Sequence, residues 1–240
     1  MQKHVVANAN ELALQFAGWL VDHIAHVLTT QERFTLVLSG GSTPRKLYEL
    51  LAAEPYRSRV DWQRIHFFWG DERFVPFTDE RNNARMAYDI LLNHVPVVHE
   101  QIHVMRTDLP AEEASASYEE ILHHYFAGAG TSFDLVLLGL GDNSHTLSLF
   151  PGYPVVHEAE KWVTAFYLEE QQMYRITLTA PIVNRSACIA YLVSGADKAP
   201  AVKAVISGPA DADQHPAQVI RPTAGGTVHW FLDQAAAADL

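Results

Sequence analysis

The apolar residues of this chain fall into short continuous runs separated by longer stretches with helical spacing. Three runs, Phe34–Leu38, Arg64–Trp69 and Leu135–Leu138, each meet a glycine within two residues of their end, which is typical of strands buried on both faces. Between the runs, apolar residues recur three and four positions apart, most clearly in Glu11–Leu28 and Ala111–Phe126. This alternation of strands and helices predicts an α/β fold built on an open, mostly parallel sheet.

The remaining elements follow from weaker runs and from capping residues. Asn10, Thr43 and Asn82 each precede a helical pattern and can cap its first turn, and Pro44 suits the first helical position. The pattern predicts helices at Pro44–Ala53, Asn83–Leu92, Ala180–Arg185, Lys198–Ile206 and, as a frayed or docked tail, Gln234–Leu240, and strands at Ile102–Met105, Trp162–Phe166, Tyr174–Leu178, Ala187–Val193 and Thr227–Leu232.

Length and composition narrow the class of protein. The chain has 240 residues, of which 48% are hydrophobic and 19% charged, so a single globular domain spanning residues 1–240 is favoured over a disordered chain. The net charge of −11 argues against nucleic acid or an anionic membrane as a partner, because the few basic residues do not cluster along the chain. Nothing in the pattern demands a second subunit, which leaves the oligomeric state open with a monomer favoured.

The single cysteine and the first helical segment bear on location. Cys188 rules out an internal disulfide and fits a reducing compartment. It lies in an apolar run, so we interpret it as a buried, inert thiol rather than a nucleophile. The segment Glu11–Leu28 is interrupted by polar side chains and cannot span a bilayer. We therefore expect a soluble, cytoplasmic protein.

The strand predicted at Phe34–Leu38 leads directly into a glycine turn and then a helix. Gly40 and Gly41 are followed by Ser42 and Thr43. Backbone N–H groups and the positive end of the helix dipole converge at such a turn, which favours phosphate binding, and the hydroxyl groups add donors. The alternative is that the glycines only make a tight turn. The loop has neither the lysine of a Walker loop nor a full dinucleotide fingerprint.

Polar residues also follow two other predicted strands. Asp71, Glu72 and Arg73 come after Arg64–Trp69, and Lys198 begins the helix that follows a later strand. Because right-handed crossovers bring the carboxyl ends of parallel strands to one edge of the sheet, we expect these side chains near the glycine turn. The alternatives are a solvated loop that carries an Asp–Arg pair and a solvated lysine.

One histidine stands on the glycine-bounded loop after Leu135–Leu138. His145 follows Gly139 and Gly141, an arrangement that presents a side chain beyond a strand end. No serine lies in a Gly-x-Ser-x-Gly elbow, so a histidine that activates water is the remaining route to hydrolysis. The other histidines show no metalloprotease or zinc-ribbon spacing, and we predict no metal. An anion cradle, an imidazole and basic side chains at one edge favour a small phosphorylated substrate; the basic residues are Arg73, Lys198 and Arg175.

Six ordered motifs together point to one family across nearly the whole chain. They are LSGGSTP (Leu38–Pro44), WGDERFVP (Trp69–Pro76), NNARMA (Asn82–Ala87), GLGDNSHTLSLFPG (Gly139–Gly152), RITLT (Arg175–Thr179) and SGADKA (Ser194–Ala199). On these motifs the chain resembles the family shared by 6-phosphogluconolactonase and glucosamine-6-phosphate deaminase. The resemblance implies an open three-layer α/β/α Rossmann-like sheet. It also implies hydrolysis of 6-phospho-D-glucono-1,5-lactone in the oxidative pentose phosphate pathway, without metal or organic cofactor.

The resemblance also implies roles for individual residues. His145 matches the histidine that activates water for attack on the lactone carbonyl, and Asp71 matches the acid–base aspartate of the deaminase branch. Arg73 and Lys198 match positions that hold the phosphate of the substrate. The predicted catalytic residues are thus His145 and Asp71, and the predicted substrate and phosphate contacts are Gly40, Gly41, Ser42, Thr43, Arg73, Lys198, Asn143 and Arg175.

The sequence departs from the family pattern just before the histidine. The family usually reads Asp-Gly-His-Thr, whereas this chain has Asn143 and Ser144 in the first two places. Asn143 cannot supply a charge, so either Asp142 replaces it or the carboxylate is dispensable. The deaminase branch needs an acidic residue after the histidine, and Thr146–Gly152 has none, which favours a lactonase over an aldose–ketose isomerase of the deaminase type. A non-catalytic sugar-phosphate sensor is the other alternative, against which the presence of His145 argues.

Overall fold

The computed structural model describes residues 1–223 and 225–240. The elements in chain order are β1 (Gln2–Val6), α1 (Ala9–Val27), β2 (Phe34–Leu38), α2 (Ser42–Leu51), β3 (Ile65–Trp69), β4 (Asp71–Arg73), α3 (Asn83–Ile90), α4 (Ala111–Phe126), β5 (Leu135–Leu138), β6 (Val163–Leu168), β7 (Met173–Leu178), α5 (Ala180–Val183), β8 (Cys188–Val193), α6 (Ala199–Ser207) and β9 (Thr227–Asp233). Short 3-10 turns lie between several of them.

Six strands form a central sheet in the order β1-β9-β8-β5-β2-β3, and every pairing in it is parallel. The predicted open, mostly parallel α/β sheet is therefore confirmed. Leu38 pairs with Trp69, and Leu138 pairs with Tyr191. Because neighbouring strands end at nearly the same level, the loops that follow them start side by side.

Alternate side chains of each central strand pack on opposite faces of the sheet. On β2 and β3, Val37 and Phe68 belong to the core beneath α4, whereas Leu36 and Phe67 belong to the core beneath α1, α2 and α3. All four are at most 1% exposed, and each such buried side chain contributes about 1.5–3 kcal/mol to folding. Two cores separated by one sheet make the three-layer arrangement, and they explain why these strands read as continuous apolar runs.

The chain leaves two neighbouring central strands toward opposite faces. After β2 it enters α2, which packs in the core beneath α1, while after β5 it runs to the other face, where Leu140 and Leu149 are buried. A crevice opens in such sheets between the carboxyl ends of the two strands, and ligands bind there. In this chain the crevice lies between β2 and β5.

A second, smaller sheet lies beside this crevice, with the antiparallel order β4-β7-β6. The residues Asp71–Arg73, predicted as a loop, form the strand β4, in which Asp71 pairs with Thr177 and Arg73 with Arg175. Three polar residues carry no apolar pattern, and their partners lie about 100 positions later in the chain, so the sequence gives no local sign of this strand. Its effect is to bring two predicted site residues next to Arg175.

Several other elements test the sequence prediction. The bounds of β2, α4 and β5 are confirmed to the residue. The predicted strand Ile102–Met105 is wrong, since only one bridge joins Ile102 to Phe67. The predicted tail helix Gln234–Leu240 is also wrong, because this segment forms turns. β1 was not predicted, since it is an edge strand in which Val5 is 51% exposed and little apolar surface is buried.

The starts of three helices can be compared with the predicted caps. Asn8, not Asn10, caps α1, because its Oδ1 accepts the N–H groups of Asn10 at 3.0 Å and Glu11 at 3.1 Å. Asn82 caps α3 as predicted. The prediction for α2 is wrong, because α2 begins at Ser42 after Gly41, and Thr43 lies inside its first turn. Among the described residues, no helix is both long and apolar enough to cross a membrane.

Candidate active site

A cavity of about 250 Å³ lies at the carboxyl edge of the central sheet. Its walls come from the loops after β2, β5 and β8, together with β4, β7 and the first residue of α3. This is the edge at which parallel α/β sheets bind ligands. Of the residues predicted from the sequence, six line it: Gly40, Asp71, Arg73, His145, Arg175 and Lys198.

Four predicted residues lie outside this cavity. Gly41, Ser42 and Thr43 form the start of α2 and do not line it. Asn143 lines a neighbouring cavity of about 620 Å³, which we call the vestibule and which also contains His145, Phe150 and His215 in its wall. His145 lines both spaces, so the imidazole stands where the vestibule meets the smaller cavity.

The glycine turn after β2 packs closely against the side chain of Asn83, and most of the turn does not face the cavity. A side chain at Gly40 would place its Cβ 2.0 Å from Oδ1 of Asn83, so only glycine fits there. Tyr48 holds the preceding residue by accepting the N–H of Ser39 at 3.0 Å and donating to its carbonyl at 2.7 Å. The turn is therefore fixed against α3, and only its first two residues, Ser39 and Gly40, reach the cavity.

The loop that carries His145 is closed by its own hydrogen bonds. The N–H of Gly141 donates to the carbonyl of His145 at 2.8 Å, and the Thr146 hydroxyl donates to the carbonyl of Gly139 at 2.8 Å. A Cβ at Gly141 would lie 2.0 Å from Nδ1 of His145. Glycine at this position is therefore required for the imidazole to lie against the loop backbone.

The hydrogen bonds of Asn143 define the proton position on the imidazole. Oδ1 of Asn143 accepts the backbone N–H of His145 at 3.2 Å and lies 2.5 Å from Nδ1 of the same residue. Because an atom that accepts a backbone N–H is the amide oxygen, the nearby Nδ1 must carry its proton. The lone pair then lies on Nε2, so Nε2 is the basic atom of His145.

Burial keeps this imidazole neutral. Burial lowers the pKa of His145 to about 4, the negative charge of Asp71 opposes that shift, and the positive charge of Arg175 adds to it. The ring also stacks on Phe150 at 4.2 Å between centroids. A base with this pKa is unprotonated throughout the neutral range and loses its function only as the pH falls through about 4.

We expect Asn143→Asp to move the acid limb of the kcat/KM profile of this protein to higher pH. A carboxylate 2.5 Å from Nδ1 would stabilise the imidazolium and raise the pKa of His145 by roughly one pH unit or more. The measurement is the pH dependence of kcat/KM for both proteins with the same substrate. Asp142→Asn is the control, because the charge of Asp142 raises the pKa of His145 less than that of Asp71 does. An unchanged acid limb in Asn143→Asp would show that His145 is not the titrating base.

A buried triangle of hydrogen bonds lies beside the imidazole. Oδ2 of Asp71 accepts the hydroxyl of Ser148 at 2.6 Å and Nη2 of Arg175 at 3.2 Å, while Nε of Arg175 donates to that hydroxyl at 2.9 Å. All three residues are at most 8% exposed. Burial lowers the pKa of Arg175 and the charge of Asp71 raises it. Nη1 of Arg175 also donates to Oε1 of Gln171 at 3.5 Å, so each of its three nitrogens already has a protein partner, which limits what it can offer an anion.

Two other cationic side chains at the cavity, Arg73 and Lys198, have fewer of their donor groups bonded to the protein than Arg175 has. Nη1 of Arg73 donates to the carbonyl of Arg81 at 3.0 Å, and its buried Nε has no hydrogen-bond partner among the described residues. Nζ of Lys198 lies 3.0 Å from the exposed carboxylate of Asp197. A buried guanidinium N–H without a partner is costly, so Arg73 retains a donor group that the described protein does not satisfy.

The buried carboxylate of Glu72 holds the backbone beside Arg73 in place. Its two oxygens accept the backbone N–H groups of Arg73, Asn83 and Ala84 at 2.7–2.9 Å, and the residue is 0% exposed. Burial raises the pKa of Glu72 to about 7, and the three N–H bonds act in the opposite direction. Glu72 therefore joins β4 to the start of α3.

We expect Glu72→Ala to lower the free energy of unfolding by about 3 kcal/mol, because it leaves three buried N–H groups without an acceptor. Urea denaturation measures the change. Glu72→Gln keeps one acceptor oxygen and should lose less, while Glu49→Ala, at an exposed position on α2, should change stability by no more than about 0.5 kcal/mol. Equal stability of all three variants would refute this role of Glu72.

The structure also brings in residues that the sequence did not single out. Asn83 lines the cavity and donates to the carbonyl of Asp71 at 3.0 Å, and Ser148 links Asp71 to Arg175. Phe150 stacks on His145, and Nδ1 of His215 lies 3.0 Å from Oγ of Ser144. Of these residues only Ser148 had a local signal in the sequence, as a polar residue between Leu147 and Leu149 in the His145 motif. The contacts of Asn83, Phe150 and His215 are visible only in the fold.

These residues can activate water next to a bound anion. A neutral imidazole can take a proton, and two cations at the same cavity can hold a phosphate. The backbone of the His145 loop is less suited to stabilise an oxyanion, because the N–H groups of Gly141, Asn143 and Ser144 already donate to acceptors within the loop. Among residues 1–223 and 225–240, no group of three or more His, Cys, Asp or Glu side chains could hold a metal ion.

Comparisons with known proteins identify the family. A family model described as glucosamine-6-phosphate isomerases/6-phosphogluconolactonase matches residues 7–230. A 6-phosphogluconolactonase of Synechocystis sp. is 37% identical over 243 aligned positions, which cover 100% of this chain and 98% of that protein. One of Nostoc sp. is 39% identical over 214 positions, covering 88% and 86%. The structure of 6-phosphogluconolactonase from Trypanosoma brucei matches with a TM-score of 0.86 at 27% identity, covering 100% of this chain and 98% of that one. This chain therefore belongs to the glucosamine-6-phosphate isomerase/6-phosphogluconolactonase family.

Proposed function

We propose that this chain, as one catalytic domain, hydrolyses 6-phospho-D-glucono-1,5-lactone to 6-phospho-D-gluconate, with His145 activating the water. It is a 6-phosphogluconolactonase, a carboxylic ester hydrolase that acts in the oxidative pentose phosphate pathway. The observation that carries the role of His145 is the contact of Nδ1 with Asn143 Oδ1, which leaves Nε2 as a neutral base at the cavity. We also propose that it acts in the cytoplasm as a monomer.

The chemical step proceeds by general base catalysis. The oxygen of water adds to the lactone carbonyl carbon while one of its protons passes to Nε2 of His145. The bond between that carbon and the ring oxygen then breaks, and the ring oxygen takes the proton back from the imidazolium. The product carries a new carboxylic acid and a free hydroxyl, and His145 returns to its neutral form.

Asp71 acts on this step through its charge. Its carboxylate raises the pKa of His145, which means that it stabilises the imidazolium formed when water loses its proton. Ser148 and Arg175 both bond to Oδ2 of Asp71 and hold the carboxylate in place. Asp71 is thus an electrostatic partner of the base.

The phosphate of the substrate provides the binding energy. Arg73 and Lys198 line the cavity that contains His145, and the Nε of Arg73 has no hydrogen-bond partner among the described residues, so these two cations are the groups that bind the dianionic phosphate. Each charge-assisted hydrogen bond contributes about 1.5–3 kcal/mol, which can orient the lactone carbonyl at the far end of the molecule. Gly40 and Arg175 complete the wall on that side.

The experiment follows lactone disappearance and product formation by NMR with purified protein. We expect 6-phospho-D-gluconate to form faster than in buffer, and we expect unphosphorylated D-glucono-1,5-lactone to be a much poorer substrate. Similar acceleration of both lactones would refute the phosphate-anchored site. Binding of the phosphorylated lactone with no acceleration would instead support a non-catalytic sugar-phosphate sensor.

A further inference from the structure

The residue before His145 has an unusual backbone conformation. Ser144 has a φ of 63°, in the left-handed region that residues with a Cβ rarely adopt. It is 2% exposed, so the conformation is held inside the protein. Non-glycine residues in this region cluster at active sites when surrounding contacts over-determine them.

Those contacts come from a loop about 70 positions later in the chain. Oγ of Ser144 lies 3.0 Å from Nδ1 of His215, and the carbonyl of Ser144 accepts the N–H of Ala217 at 3.0 Å. His215 is half-buried in the wall of the vestibule, and its own N–H donates to the carbonyl of Asp211 at 2.8 Å. The loop between α6 and β9 therefore forms hydrogen bonds with both the side chain and the backbone of Ser144.

One short turn connects Ser144 to the imidazole of His145. The N–H of Ser144 donates to the carbonyl of Gly141 at 3.0 Å, and Gly141 donates back to the carbonyl of His145 at 2.8 Å. On the other side of the turn, Asn143 holds both the backbone and Nδ1 of His145. A rotation at Ser144 would move both partners that define where Nε2 lies.

We propose that His215 is a positioning residue, which holds Ser144 in its left-handed conformation so that His145 presents Nε2 to the substrate cavity. This inference rests on the proposed function of His145 as the base. It also explains why this chain carries serine where a left-handed turn favours glycine, since the serine hydroxyl gives the turn a partner that glycine lacks.

The test is a double-mutant cycle between His215→Leu and Ser144→Gly. In the wild-type background, we expect His215→Leu to lower kcat roughly tenfold with little change in KM, because small misplacements of a catalytic group are costly while phosphate binding is unaffected. Glycine adopts the left-handed conformation without a clamp. We therefore expect His215→Leu to cause no further loss in the Ser144→Gly background. His215→Asn, which retains a polar group near Nδ1, should recover part of the loss.

A matched control separates this contact from general anchoring of the loop. His157 contacts Asp213 on the same loop at 2.6 Å, and among the described residues no hydrogen bond joins it to Ser144, so His157→Leu should keep the wild-type kcat. The inference is overturned if His215→Leu keeps wild-type kcat, if it loses as much in the Ser144→Gly background, or if His157→Leu loses as much as His215→Leu.

A second readout does not need activity. In an NMR titration, we expect His215→Leu to raise the pKa of His145 toward its ordinary value, because a misplaced ring becomes solvated, and Ser144→Gly to prevent that change. An unchanged pKa of His145 in His215→Leu would refute the positioning role. A complete absence of wild-type lactone hydrolysis would refute the proposed function, while this titration would still decide whether His215 positions the imidazole.

Discussion

His145→Ala should lower kcat for lactone hydrolysis by about 10² to 10⁴-fold, the range typical of removing a general base. The affinity for 6-phospho-D-gluconate should change little, because the phosphate contacts proposed for Arg73 and Lys198 remain. Steady-state kinetics give kcat, and calorimetric titration with the product gives the affinity. A large loss in kcat with unchanged product binding is the signature of a residue that acts in the transition state.

The control for this variant is another histidine on the surface. His124 is exposed on α4, remote in sequence from every predicted site residue, and His124→Ala should keep wild-type kinetics. Equal losses in kcat and in product affinity for His145→Ala would contradict the role as base and make His145 a binding residue instead.

The second large effect is expected at the phosphate end of the site. Arg73→Met keeps much of the apolar stem and removes the charged group. If two charge-assisted hydrogen bonds are lost, each contributing about 1.5–3 kcal/mol, KM for the phosphorylated lactone should rise by at least about 10²-fold. The slow turnover of the unphosphorylated lactone should be unaffected, because that substrate makes no phosphate contact.

Arg81 provides a close control for Arg73. Its carbonyl accepts from Arg73, but its own guanidinium pairs with Asp79, so Arg81→Met should bind substrate as the wild type does. A similar rise in KM for both lactones in Arg73→Met would show that Arg73 supports the fold of the site rather than the phosphate.

Local patterns of apolar residues predict much of the architecture that positions this site. β2 and β5 are continuous apolar runs stopped by serine or glycine, and both are central strands buried on two faces. Because such strands are parallel, their following loops must meet at one edge. The meeting of the loops after β2, β5 and β8 at one cavity follows from that pattern alone.

Contacts between distant segments could not be predicted in this way. β4 is a strand only because β7 pairs with it. The hydrogen bond between His215 and Ser144 joins loops that lie 71 positions apart in the chain. The glycine turn was predicted to bind phosphate through Gly40, Gly41, Ser42 and Thr43, but of these four only Gly40, which packs against Asn83, lines the cavity. Side-chain packing between elements decides such details, and no local spacing records it.

The departure at Asn143 is resolved by hydrogen-bond chemistry. An aspartate was expected there, and its absence placed in doubt how the imidazole is oriented. The amide oxygen of Asn143 accepts both N–H groups of His145, so orientation needs no charge at that position. What the amide cannot supply is stabilisation of the imidazolium, for which Asp71 is the nearby carboxylate that raises the pKa.

The most direct test of the central claim is acid release from freshly prepared 6-phospho-D-glucono-1,5-lactone, followed in a pH-stat at mildly acidic pH, where uncatalysed hydrolysis is slow. We expect the initial rate to exceed that of buffer in proportion to the concentration of the wild-type protein, and His145→Ala to remove nearly all of the excess. A wild-type rate equal to that of buffer would contradict the assignment of this chain as a lactonase, and an unchanged rate in His145→Ala would contradict His145 as its base.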